Sequence, residues 1–216
     1  MNNSKFFTAR NVAYFGILLA LVVVMQAFGG AINIGAVSLN FTLIPIVLGA
    51  IMLGPVAGAI LGLACGVVVA VQVIMGLVPF YVLIWTGAPV QAVLTCVIKT
   101  TVAGFVAGVA FKALSKKNKY VAVFVASALV PIINTSLFIV GCFAMWNVIY
   151  DMAGGTNILW FILVSLVTFN FFIELAVNLL CAPALYRVIK IFDKDLTEAD
   201  NEDDADLEIE KTNDGE

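Results

Sequence analysis

No histidine occurs in the 216 residues, and only 12% are charged. The first absence removes the commonest general base and the usual imidazole ligand of a transition metal, so no metal site is expected. The second excludes an ordinary soluble domain, in which roughly a quarter of residues are charged. A G-x-x-x-x-G-K-[ST] loop is also missing, so the chain does not hydrolyse nucleotides by that device. Cys65, Cys96, Cys142 and Cys181 lie singly inside apolar segments at irregular spacing. Such spacing writes neither a disulfide framework nor a zinc pattern, and the thiols read as buried packing groups. Paired carboxylates and a nucleophile motif are absent too. The chain is not expected to be an enzyme, and no cofactor is expected.

What is present is hydrophobic: 62% of residues are apolar, and mean hydropathy is +1.09. This is the composition of an integral membrane protein. The net charge of −3 conceals two chemistries. Residues 193–216 hold twelve acids against Lys194 and Lys211, a balance of −10, so residues 1–192 carry +7. The acidic stretch has no aromatic residue, and it reads as a solvated, disordered cytoplasmic tail on a membrane domain of residues 1–192.

The membrane domain is organised around Leu39 to Gly76, an apolar run without a charged side chain. Its Gly54-Pro55 step predicts two helices meeting at a tight corner, because proline lacks an amide hydrogen and disfavours helix in the residue before it. The first, about 41–53, is short for a bilayer that needs about 20 helical residues; the second, about 55–76, is long enough. Gly54, Gly58, Gly62 and Gly66 recur every four residues, leaving a strip without side chains on which a neighbouring backbone can lie.

Helix one is expected over Val12 to Phe28, helix four over 89–114, helix five over 120–146 with a kink at Pro131, and helix six over 158–189. The expected fold is therefore all-α, a bundle of six transmembrane helices. Loops are expected at 29–40, at 77–88 and at 147–157. Lys5, Arg10, Lys112, Lys116, Lys117, Lys119, Arg187, Lys190 and Lys194 all fall on the terminal side, and the three opposite loops have no basic residue. The positive-inside rule then puts both termini in the cytoplasm.

Two ionisable groups remain inside the bilayer, Lys99 and Glu174, and each needs a partner or a wet cavity because burial costs at least about 2.5 kcal/mol. Counting about 1.5 Å per residue from the inner helix ends puts Lys99 about 22 Å deep, Asn134 about 21 Å, Asn170 about 24 Å and Glu174 about 18 Å. Asn170, Glu174 and Asn178 follow one another at four-residue steps, on one helix face. The layer reads either as a structural Lys99–Glu174 ion pair with asparagine glue, or as a pocket in which an ammonium, a carboxylate and amides orient a small polar molecule.

Ser38, Asn40 and Thr42, followed by IPIVLGAIMLGPVAGAILG, are similar to the second and third helices of the substrate-binding S components of energy-coupling factor (ECF) transporters. That family imports vitamins. The likeness extends more weakly over about residues 8 to 190. It implies a ligand held between loop one, the loop between helices three and four, and helices four to six near the outer face. Asn40, Phe80, Trp85 and Trp146 then join Lys99, Asn134, Asn170, Glu174 and Asn178 as candidate ligand residues. It also implies a transmembrane coupling subunit and two cytoplasmic ATPases as partners, with the S component toppling in the membrane to release its cargo. The small face formed by Ala9, Ala13, Gly16 and Ala20 on helix one is the implied contact with the coupling subunit, or else an internal packing surface.

A single buried lysine suits an anionic ligand, and the helix-two stretch is similar to pantothenate-type S components. Riboflavin and other flat vitamins stay open, because Phe80, Trp85 and Trp146 can stack on them, while in the ordinary reading such residues form an interfacial aromatic belt. Two other classes are a stand-alone ion-coupled transporter, with Glu174 carrying a proton, and a membrane enzyme using Glu174 or Lys99. The first lacks an inverted repeat between the halves of the chain.

Overall fold

The chain turns where Gly54 and Pro55 place the corner. Gly54 has φ 97° and ψ 177°, backbone that a side chain would strain, and Pro55 opens the next helix at a position where its missing N–H costs nothing. The computed structural model describes residues 9–29, 33–34, 37–38, 40–77, 82 and 84–213. The candidate Phe80 lies outside the described residues.

In chain order the elements are α1 (Ala9–Gly29), a two-residue antiparallel pair β1 (Asn33–Ile34) and β2 (Val37–Ser38), α2 (Leu43–Met52) and α3 (Pro55–Ile74). There follow α4 (Pro89–Leu114), α5 (Lys119–Ala144), α6 (Trp146–Ala153) and α7 (Ile158–Trp160), then a π-helical stretch Phe161–Val167 and α8 (Thr168–Asn213). Among the described residues, five helical stretches are long and apolar enough to cross a bilayer, and α2 is too short. The six expected helices are thus five long ones and the short α2, the member expected to be too short for a bilayer. α2 is instead the axis of the bundle, packed by α1, α3, α4, α5 and α8, with Leu43, Ile46, Val47 and Ala50 wholly buried. At about 15 Å it is half the length of a spanning helix, and its buried residues face protein on every side.

The glycine strip closes α3 on α4. A Cβ at Gly58 would lie 2.5 Å from the Gly104 carbonyl oxygen, one at Gly66 2.7 Å from that of Cys96, and one at Gly62 would strike the Thr100 carbonyl. At the corner, a Cβ on Gly108 would come within 2.5 Å of Pro55 Cα. These pairings run in opposite directions along the two helices, so α3 and α4 are antiparallel. Lipid supplies no hydrophobic drive between helices, and this backbone approach supplies dispersion contact in its place.

At the terminal end, Tyr14 meets Phe192 edge-on with ring centroids 5.2 Å apart, and Tyr120 meets Tyr186 at 5.2 Å. The start of α1, the start of α5 and the stretch of α8 around Tyr186 and Phe192 therefore share one side of the bundle.

Two expectations need adjustment. The stretch 147–157, expected as a loop, contains α6, which buries Ile149 and Ala153 and is capped by Gly154 in the left-handed region. Four-residue spacing of two apolar side chains is enough to seat one short helix on the bundle rim. Helix six is longer than expected and includes seven residues of π-helix. The acidic stretch has a helical backbone as far as Asn213. It extends an existing helix and so needs no nucleation, and it contains neither proline nor glycine before Gly215.

Candidate functional site

Glu174 sits 6% exposed on α8, and its Oε1 accepts the backbone N–H of Asn40 at 2.9 Å. Asn40 lies just ahead of α2, so the carboxylate meets the positive end of that helix as well as a direct donor. The side chain of Asn134 reaches Glu174 from α5, and Lys99 lies within electrostatic range from α4. Lys99 Nζ stands 5.2 Å above the Phe138 ring, a cation–π contact. No ion pair within 4 Å joins Lys99 and Glu174 among the described residues. Of the layer inferred by counting along separate helices, Asn134 and Lys99 thus lie about the Glu174 carboxylate, whereas the Asn170 amide turns to its own helix.

The asparagines around it are oriented by chemistry. Asn178 Nδ2 donates to the Glu174 carbonyl at 2.8 Å, and Asn170 Nδ2 donates to the Leu166 carbonyl at 3.5 Å, each one turn back on its own helix. Asn134 must present its Nδ2 to the carboxylate. In each case a flipped amide would set oxygen against oxygen. The Oδ1 atoms of these three and of Asn40 are buried and have no partner among the described residues. A buried polar atom left unpaired costs about 1–3 kcal/mol.

Of the aromatic candidates, Trp85 is half-buried against the core. Trp146 is 43% exposed and stacks on Phe143 at 5.9 Å. A groove of about 210 Å³ runs along the α4–α5 seam, lined mainly by Leu94, Ile98 and Val140 with Lys99 in its wall. The π-helical stretch ends just before Asn170, and Thr168 Oγ1 donates to the Leu163 carbonyl at 2.5 Å. Wide turns of this kind recur at functional sites.

A family model described as "ECF transporter, substrate-specific component" matches residues 10–186. The chain belongs to that family. The S component is thus a multi-pass membrane protein that serves as the substrate-binding subunit of a transporter. A comparison with curated proteins finds no match.

Sequence reasoning missed one polar group in the S component. Gln26 Nε2 donates to Gln72 Oε1 at 3.1 Å, and Gln72 Nε2 returns a bond to the Gln26 carbonyl at 3.1 Å. Thr42 Oγ1 and Cys65 Sγ both donate to Gln26 Oε1, at 3.0 and 3.6 Å. The network ties α1 to α2 and α3 and leaves no gap. The signal was legible, since two glutamines inside apolar runs need interhelical partners. Replacing Gln72 with leucine strands Gln26 Nε2 and is expected to cost about 1–3 kcal/mol. Thermal unfolding of the solubilised protein measures the loss, and the Gln26→Leu/Gln72→Leu double variant should recover part of it.

The opposite face of α1 is open. Ala9, Ala13, Gly16 and Ala20 are all exposed, and a Cβ at Gly16 would meet nothing within 4 Å. Among the described residues, nothing packs closely on this face at Gly16.

Proposed function

We propose that this S component binds a vitamin or vitamin-like small molecule, with pantothenate the first candidate, in the polar layer around Glu174, and passes it inward for uptake. One observation carries the reading. Asn40 and Asn134 bond the Glu174 carboxylate, a lysine on α4 stands nearby, and the buried amide oxygens of Asn40, Asn134, Asn170 and Asn178 have no partner among the described residues. Glue between helices would pair these groups with one another. Energy comes from two cytoplasmic ATPases through a transmembrane coupling subunit, which docks on the open face of α1. Both termini are cytoplasmic in this reading, supported by the tyrosine contacts that gather the basic helix ends on one side.

Mass spectrometry of small molecules released from gently purified protein should identify a vitamin. Copurification should bring down an ATPase-containing complex, whereas a stand-alone transporter would transport alone in liposomes. Ala13→Leu should abolish that complex while the isolated variant still binds ligand. Loss of binding together with assembly would show that α1 acts inside the fold instead.

A further inference from the structure

Three consecutive residues join Glu174 on α8 to α1. The Asn40 N–H donates to Glu174 Oε1 at 2.9 Å, and Thr42 Oγ1 donates to Gln26 Oε1 on α1 at 3.0 Å. Asn40 and Thr42 are at most about 7 Å apart along the chain, and all four residues are buried. The segment between the two bonds has no slack. The Asn40 carbonyl accepts the Leu43 N–H at 3.4 Å, and Thr42 already has helical backbone, φ −63° and ψ −15°. Residues 40–42 therefore move with the start of α2, and a shift of either anchor strands a buried group at the other.

The same bonds set α1. Its buried stripe is Leu18, Val22 and Gln26, and at about 3.6 residues per turn this stripe lies roughly opposite Ala9, Ala13, Gly16 and Ala20. Leu18 and Val22 belong to the apolar core, and contact of that kind tolerates a small rotation of the helix. Hydrogen bonds are directional. Gln26, held by Gln72 and Thr42, thus fixes the angle at which the small-residue face is presented.

Resting on the proposed binding role of Glu174 and the proposed docking face of α1, we infer that Thr42 and Gln26 are positioning residues for partner docking. Through residues 40–42 the Glu174 carboxylate sets the rotation of α1, and with it the affinity of the partner. A ligand that engages the carboxylate alters its hold on Asn40, and the alteration reaches α1 across two hydrogen bonds. Coupling between two sites is reciprocal, so a partner seated on α1 alters the hold on Glu174 as well. A purely structural network would lower stability when cut and leave partner affinity unchanged.

The test is a double-mutant cycle on the affinity of the full-length protein for the coupling subunit–ATPase module, read by biolayer interferometry in one detergent, with thermal unfolding measured beside it. Thr42→Val keeps the shape of threonine and removes the donor to Gln26; Thr42 makes no cap bond to α2, so no cap is lost. The variant should weaken the complex by about 5- to 20-fold. Thr42→Ser, which keeps the hydroxyl, should stay within about twofold of the wild type. Glu174→Ala should weaken the complex as much as Thr42→Val does, and the double variant no further than either, because both changes cut one link. Additive losses, or Thr42→Val with wild-type affinity for the module, would overturn the inference. If Glu174→Ala does not fold, the comparison of Thr42→Val with Thr42→Ser decides alone. Ala13→Leu separates the inference from the reading beneath it. Loss of the complex in Ala13→Leu with no effect of Thr42→Val sinks the link and leaves the docking face, whereas wild-type affinity in Ala13→Leu removes both.

Discussion

Lys99→Met is expected to weaken the binding of an anionic ligand by about 10- to 100-fold, because Lys99 is half-buried in the wall of the α4–α5 groove and forms no ion pair of its own among the described residues, and a hydrogen bond from an ammonium contributes about 1.5–3 kcal/mol. Methionine preserves the length and apolar stem that line the α4–α5 groove, so the loss reports the ammonium and not the packing. The fold should survive, since Lys99 makes no ion pair within 4 Å among the described residues and its recorded partner is the Phe138 ring. Glu174→Gln should be milder, because the amide oxygen still accepts the Asn40 N–H that holds the segment ahead of α2 against α8. Isothermal titration with the released ligand distinguishes the two variants. An amide analogue of an anionic ligand should bind the wild type poorly and lose little more in Lys99→Met. Unchanged affinity in a folded Lys99→Met protein would make the layer structural and move the pocket toward the outer aromatic residues.

The other large effect is expected at Gly62, where a valine should prevent the bundle from forming. Its Cβ would strike the Thr100 carbonyl and come within 3.0 Å of Thr101 Cα, both backbone atoms of a packed helix that cannot rotate away. Separating α3 from α4 would break the broadest interface in the bundle, and a loss of about 4 kcal/mol or more is expected. Size-exclusion chromatography and limited proteolysis would show aggregation or cleavage. Gly16→Val is the internal control: nothing lies within 4 Å of its Cβ, so it should fold normally. A monodisperse, protease-resistant Gly62→Val protein would show that the strip is not an assembly surface.

Much of this was legible in the sequence because it rests on local rules. Gly54-Pro55 dictates a corner wherever it occurs, and glycines every four residues dictate a bare face. Lys99 and Glu174 stand out because charge inside an apolar run has few uses. Counting residues along separate helices placed Lys99, Asn134 and Glu174 at one depth, and the contacts to Glu174 agree. What was not legible depends on which helix neighbours which. The spacing of Gln26 and Gln72 says nothing of their mutual bonds until α1 and α3 lie side by side. The shortness of α2 looked like a weak span, and only its five neighbours show it to be the centre. The direction of each asparagine amide was equally hidden, since it is set by carbonyls and a carboxylate that the fold delivers.

The buried α2 also bears on how the protein is made. Ten residues are too few for membrane-insertion machinery to accept as an independent span. Joined to α3 by the Gly54 corner, α2 enters the bilayer as half of a hairpin whose longer arm carries the insertion energy. Its final depth is then fixed only when α4 has been synthesised and its backbone closes on the glycine strip. A chain truncated before Gly108, which packs on Pro55, is therefore expected to hold α2 without its full seat.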